Sequence, residues 1–224
     1  MPELVIFDCD GVLVDSERIA NREFAVVLRE IGLTFTMPEM FGTFVGNSMP
    51  RCVEIITERL GHAPPDDLLD RYNARVAAVL PGELTVVEGV VDLLDALDDA
   101  GVSYCVASNG EHALMRVKLD LTGLLDRFER RRFSSADVAR PKPAPDLFLH
   151  AAATLGARPS HCVVIEDSPL GVQGARAAGM TVIGYADLMP HCVLRAAGAQ
   201  CTVGRLAEVF PLLGHCCDES LRLT

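Results

Sequence analysis

The sequence predicts an α/β protein, a doubly wound parallel-sheet core with a small all-helical segment inserted after the first strand. Three observations carry that prediction. The apolar run Leu4-Val5-Ile6-Phe7 stops abruptly at Asp8-Cys9-Asp10-Gly11, as a buried parallel strand stops at a loop. From Asp15 to Gly82 apolar residues recur at helical spacing with no convincing strand among them. From Glu83 onward short apolar runs alternate with helical stretches, the pattern of a parallel sheet built from crossover units. Together they describe a Rossmann-like core formed by residues 1–14 and 84–224, and a helical insertion at 15–83 hinged near 13–16 and 80–83.

Each element has its own signal. Asp15-Ser16 supplies an N-cap, and Ala20, Phe24, Val27, Leu28 and Ile31 keep helical spacing until Gly32. Pro50 opens a second helix with Val53, Ile56 and Leu60 on one face and Gly61 closing it. A third is predicted from Pro65 through Leu69, Tyr72, Val76 and Leu80 to a stop at Pro81-Gly82. Beyond the insertion the predicted strands are 102–107, a weak one about 132–133, 162–165, 181–185 and 201–203. The predicted helices between and after them are 89–100, 111–121, 146–155, 170–178, 188–197 and 206–213.

With 224 residues, half of them apolar, the chain can bury a large core. A net charge of −11 leaves no field to attract nucleic acid or an anionic membrane, so a small molecule or a protein is the expected partner, and any anionic substrate needs a local cation. No apolar run approaches the ~20 residues of a membrane span, and the Met1-Pro2-Glu3 start lacks a basic leader; a cytoplasmic protein is expected. The eight cysteines contain no Cys-x-x-Cys pair, which fits reduced thiols. Of the 20 basic residues only Lys118 and Lys142 are lysines, so each lysine raises a question of its own.

Four predicted strand ends carry chemistry: Asp8 and Asp10, then Ser108-Asn109-Gly110, then Lys142 in Arg140-Pro141-Lys142-Pro143, then Glu166-Asp167-Ser168. Residues two apart on a strand point the same way, so Asp8 and Asp10 share one side of its carboxyl end, where open α/β sheets bind ligands. Taken singly each has a plain reading: a turn after a strand, a helix N-cap, a solvated loop charge, acids favoured at a helix start. Taken together, a hydroxyl, a lysine and four acids meet at one sheet edge, where a phosphate and a divalent cation would complete the charge balance.

The stretch from Phe7 to Glu17, reading Phe-Asp-Cys-Asp-Gly-Val-Leu-Val-Asp-Ser-Glu, resembles the first motif of the haloacid-dehalogenase-like superfamily of phosphohydrolases. Val106-Ala107-Ser108-Asn109, Lys142-Pro143 and Ile165-Glu166-Asp167-Ser168 resemble its other three motifs, in order, and the insertion matches its small helical cap. Within the superfamily the chain is most similar to the branch of β-phosphoglucomutase and the sugar-phosphate phosphatases, nearest in pattern to phosphogluconate phosphatases. The resemblance implies Asp8 as nucleophile and Asp10 as general acid and base. It implies Mg²⁺ held by the Asp8 carboxylate, the Asp10 carbonyl and Asp167, with Glu166 bound directly or through water. Ser108 and Asn109 would hold phosphoryl oxygens, and Lys142 would stand between phosphate and Asp8.

The cap loop from Phe44 to Arg51, with Gly46 and Arg51 as substrate-binding candidates, corresponds to the family's specificity loop. Here β-phosphoglucomutase has basic residues where Val45 and Met49 stand, and histidine where Ala20 stands. The resemblance therefore implies a phosphatase acting on a small phosphorylated sugar or sugar acid, as a monomer or dimer; a phosphoryl-transfer isomerase is the alternative. A receiver-like phospho-acceptor domain would carry its acidic pair elsewhere and needs no insertion. His112 and Glu111 could face the cleft or start a helix, and His215-Cys216-Cys217 lacks usual zinc spacing.

Overall fold

The computed structural model describes residues 1–214, so the His215-Cys216-Cys217 reading lies outside the described residues. Six strands, β1 (Leu4–Phe7), β2 (Ser103–Ser108), β3 (Arg132–Ser134), β4 (Cys162–Glu166), β5 (Thr181–Tyr185) and β6 (Cys201–Val203), form one sheet in the order β3-β2-β1-β4-β5-β6. Every pairing is parallel. The chain steps from β1 outward through β2 and β3, then returns to the far side of β1 with β4. The carboxyl end of β1 is therefore the topological switch point, where neighbouring crossovers diverge and leave a crevice.

Alternation along the strands builds two cores, because successive side chains point to opposite faces. Val5, Phe7, Val106, Val163 and Ile165 pack on one face against α5 (Val90–Asp99), α6 (His112–Leu121), α7 (Leu125–Phe128) and α11 (Val209–Leu213). Leu4, Ile6, Cys105, Val164 and Val182 pack on the other against α8 (Asp146–Thr154), α9 (Pro169–Ala177) and α10 (His191–Ala197). Helices cover both faces, as the doubly wound reading requires.

Between β1 and β2 lie α1 (Ser16–Glu30), α2 (Met37–Phe44), α3 (Met49–Leu60) and α4 (Leu68–Glu83). They bury a separate cluster that includes Phe24, Leu28, Met40, Phe44, Ile56 and Leu68. Each such side chain contributes about 1.5–3 kcal/mol on full burial, so the insertion has an apolar cluster of its own. Buried Glu23 of α1 ties it to α4 through Arg75 at 2.9 Å. The exit and return of the chain run side by side: Asp15 N donates to Thr85 O at 2.9 Å, and Val14 bridges Val86 in antiparallel fashion.

The structure departs from the sequence reading at several ends. α4 starts at Leu68, because residues 65–68 first close a turn with Leu68 N donating to Pro65 O at 3.1 Å. It continues through Pro81 to Glu83, so the return crossing falls at Thr85 to Val87; Pro81 costs the helix one N–H donor, and Leu84 N still closes the end on Leu80 O at 3.0 Å. α2 was not predicted, although Thr36 and Glu39 form a capping box whose Thr-x-x-Glu pattern is visible in the sequence. α7 was missed because a single turn carries too little periodicity. α10 begins at His191, after Pro190, and Asp15 at the N-terminus of α1 makes no side-chain cap; it pairs with Arg18.

Candidate active site

At the switch point a cavity of about 230 Å³ opens between the sheet edge and the insertion. Asp8, Asp10, Ser108, Asn109, Lys142, Glu166 and Asp167 line it from the sheet side, and Gly46 with Asn47 from the loop between α2 and α3. Residues that follow β1, β2 and β4 thus meet Lys142, which comes from the loop before α8, at one cavity.

Asp8 follows β1 directly and donates its backbone N–H to Ile165 O at 3.0 Å, which fixes the carboxyl between β1 and β4. Lys142 Nζ donates to Asp8 Oδ1 at 2.6 Å and to Glu166 Oε1 at 2.7 Å, and the ammonium lies 4.9 Å from the centre of the Phe148 ring. Burial raises the Asp8 carboxyl to about 7; Lys142 opposes that rise, while Glu166 and Asp10 add to it. Burial works against the Lys142 charge too, but Asp8 and Glu166 outweigh it and hold the ammonium charged. Asn109 secures the lysine's backbone: Lys142 N donates to its Oδ1 at 2.9 Å, and its Nδ2 donates to Lys142 O at 3.1 Å.

Glu166 is fully buried and both its oxygens are taken, one by Lys142, the other by Ser168 N at 3.1 Å and Ser168 Oγ at 2.9 Å. Gly171 makes room for it, since a Cβ there would collide with the Glu166 carboxyl. Asp167 differs. It has no ion pair among the described residues, and burial, then the Glu166 and Asp8 charges, push its carboxyl well above the usual range. Gly11, at φ 79°, lets the Asp10 loop pass close against Asp167, where a Cβ would meet the carboxyl.

Asp10 has a cation that sequence reasoning missed. Lys118 of α6 and Ser16 of α1 both donate to Asp10 Oδ1. Burial opposes the Asp10 charge, but Lys118 in particular, with Ser16 and Lys142, holds the carboxyl below its ordinary value. The two lysines of the chain therefore serve the two motif aspartates, one each. Their rarity was the signal; nothing local on α6 told which carboxylate Lys118 would reach.

Other candidates resolve plainly. Ser108 is buried and lines the cavity, and its Oγ accepts from Gly110 N at 3.0 Å. Arg51 is not brought to the cavity: it is exposed and pairs with Glu54 at 2.8 Å and Glu58 at 3.5 Å, because helical spacing places those acids beside it on α3. Asn109 lines the cavity while its Oδ1 and one Nδ2 hydrogen hold the Lys142 backbone, which leaves the second Nδ2 hydrogen uncommitted. His112 pairs with Asp137 at 2.8 Å on the surface, and Glu111 occupies the N-cap of α6. Glu17, unremarked in the sequence except as part of the first motif, lines the cavity; burial, then the Asp10 charge, raises its carboxyl to about 7.

A buried aspartate against a buried lysine, a second aspartate beside it and a third without an ion pair among the described residues, all at the switch point of a 3-2-1-4-5-6 sheet, are the arrangement of an α/β enzyme site. The haloacid dehalogenase-like hydrolase family model matches residues 2–179, and the chain belongs to that family. It is 34% identical over 190 residues to 6-phosphogluconate phosphatase of Escherichia coli K12, covering 84% of each protein, which places the likeness in the sugar-phosphate phosphatase branch. A conserved haloacid dehalogenase-like protein of Agrobacterium tumefaciens superposes with TM-score 0.91 at 32% identity, over 97% of this chain and all of that one. A haloacid-dehalogenase family hydrolase of Deinococcus radiodurans, solved with bound phosphate and sodium, superposes with TM-score 0.83 at 34% identity, over 96% of each chain.

Proposed function

We propose that this phosphatase is a Mg²⁺-dependent phosphomonoester hydrolase of the cytoplasm, acting on a small phosphorylated sugar or sugar acid through an aspartyl-phosphate on Asp8. The observation that carries the proposal is Asp8 held by Lys142 at 2.6 Å at the base of a cavity open to Asp10. In this reading Asp8 attacks phosphorus, the ester P–O bond breaks, and the leaving oxygen takes a proton from Asp10. Asp10 then removes a proton from water, which attacks phosphorus and breaks the bond to Asp8, releasing inorganic phosphate. Ser108 and the backbone amides around it hold the phosphoryl oxygens, and Lys142 balances their charge. Residues 15–83 act as a cap over the core of 1–14 and 84–224, flexing at the paired Asp15–Thr85 crossing.

A metal fits the donor set. Asp8, Asp10, Glu17, Glu166 and Asp167 line the cavity, against Lys142 as the cationic lining residue among those described. A phosphate dianion cannot join that many carboxyl groups without a further cation. Asp8, the Asp10 carbonyl and Asp167 are the hard oxygen ligands Mg²⁺ prefers, while Glu166 serves by holding Lys142. When bound, the metal would neutralise charge on the phosphoryl group and on Asp8. Chelation with EDTA is expected to stop phosphate release and Mg²⁺ to restore it; Ca²⁺, with longer and looser coordination, is expected to bind without restoring it. Full activity in excess EDTA would remove the metal from this reading.

Hydrolysis is favoured over isomerisation by Ala20, Val45 and Met49, which line the insertion's side of the site without a cation for a second phosphate. The decisive experiment supplies β-glucose 1-phosphate with a trace of the 1,6-bisphosphate and follows both products. Free phosphate is the expected product. Rapid glucose 6-phosphate formation with little phosphate release would establish the isomerase instead.

A further inference from the structure

Beyond the phosphate-binding floor lies a second cavity of about 140 Å³, walled by α1, the 45–49 loop and the faces of α3 and α4 that meet it. Glu17, Val45, Gly46 and Asn47 line both cavities, so a group leaving the phosphorus at Asp8 passes directly into this chamber. Its chemistry is distinctive. Polar atoms come from Glu17, Asn21, Asn47 and Tyr72, apolar surface from residues such as Phe24 and Met49, and no lysine, arginine or histidine lines it among the described residues.

Glu17 and Asn21 are already built as a unit. Asn21 Nδ2 donates to Glu17 O at 2.9 Å and to Glu17 Oε2 at 3.2 Å, one turn apart on α1, which leaves Glu17 Oε1 and Asn21 Oδ1 for a ligand. Asn21 is buried, and the Phe24 and Tyr72 rings, 4.9 Å apart, line the same chamber. Carboxyl and amide oxygens placed on a half-apolar wall suit the alternating hydroxyls and C–H faces of a polyol. They do not suit a carboxylate or a second phosphate, which would be desolvated without a cationic partner and would face the Glu17 carboxyl.

We propose that this chamber selects an uncharged polyol or sugar as the leaving group, read through Glu17 and Asn21, and discriminates against leaving groups that carry a second negative charge. The proposal rests on the phosphatase reading and narrows it: the phosphorylated sugar alcohol is the substrate class, the phosphorylated sugar acid the disfavoured one. Selection falls to the chamber because the floor at Asp8 recognises only phosphate.

Glucitol 6-phosphate and 6-phosphogluconate test it, since they differ at C1 alone, a hydroxymethyl group in one and a carboxylate in the other. Phosphate release by the Mg²⁺-loaded protein is expected to favour glucitol 6-phosphate at least about tenfold in kcat/KM, equivalent to ~1.4 kcal/mol. Met49→Lys, which adds a cation at a position 36% exposed, is expected to shift the ratio several-fold toward 6-phosphogluconate. Glu17→Gln, checked for folding by circular dichroism, should shift it the same way. Equal or better turnover of 6-phosphogluconate by the unmodified protein, or a ratio that neither variant moves, overturns the proposal. Acetyl phosphate, whose leaving group is too small to fill the chamber, separates the two levels: if it is hydrolysed while the ratio is wrong, only the selectivity fails; if none of the three is hydrolysed, the phosphatase reading fails and the selectivity with it.

Discussion

Asp8→Asn is expected to abolish phosphate release from every substrate, by at least ~10⁴-fold, while the protein remains folded. The amide has the size of the carboxyl it replaces, and its oxygen can still accept from Lys142, now 2.6 Å from Asp8 Oδ1. Lys142 also keeps Glu166 at 2.7 Å, so the substitution does not strand a buried cation. On the proposed mechanism what disappears is the nucleophile: a neutral amide oxygen would not form the covalent link that splits the reaction into two steps. Phosphate release and thermal melting on the same preparation check this. A folded Asp8→Asn protein that turns over near the wild-type rate would end the covalent mechanism.

Asp10→Asn is expected to lower kcat by about 10²–10⁴-fold, the usual worth of a positioned proton donor and acceptor. The two half-reactions should respond differently. With p-nitrophenyl phosphate the leaving phenolate needs little help, so the variant should release about one equivalent of p-nitrophenol per protein in a fast burst and then stall, because no base activates water against the aspartyl-phosphate. A stopped-flow trace without burst and with unchanged steady-state turnover would assign the proton work to another group. The same variant removes the carboxylate partner of Lys118, whose side chain is only 11% exposed, and some loss of stability should accompany the loss of rate. In the present arrangement Lys118 and Ser16 keep Asp10 ionised and engaged, so delivery of its proton requires that it leave them.

These two aspartates were legible because a strand signal and a charge signal coincide at one point. Leu4–Phe7 is apolar at every position and stops at Asp8, and periodicity alone places such a stop at a sheet edge. The same holds for β4, whose apolar run ends at Glu166-Asp167. Local patterns failed where they were short or where partners lay far along the chain. α7 offers four residues, and Pro81 was read as a stop when the helix needed two residues more. Arg51 was proposed for the site on its position in a loop motif, yet it pairs with two acids on its own helix and lines neither cavity.

By itself the sequence determined the order of the strands, the parallel core with a helical insertion, and the sheet edge to which Asp8, Asp10, Ser108, Lys142 and Asp167 belong. Those follow from periodicity and from the direction of strands, which are properties of neighbouring residues. Only the tertiary structure decided what each polar atom does there. Lys118 meets Asp10 across 108 residues because α6 packs on the sheet face whose core includes Phe7. Asn109 holds the Lys142 backbone, Glu166 spends both oxygens on Lys142 and Ser168, and Glu17 turns into the chamber under the insertion. A carboxylate or amide has few hydrogen-bonding sites, and which donor fills each depends on the rotation and offset of packed helices, quantities that no local pattern records.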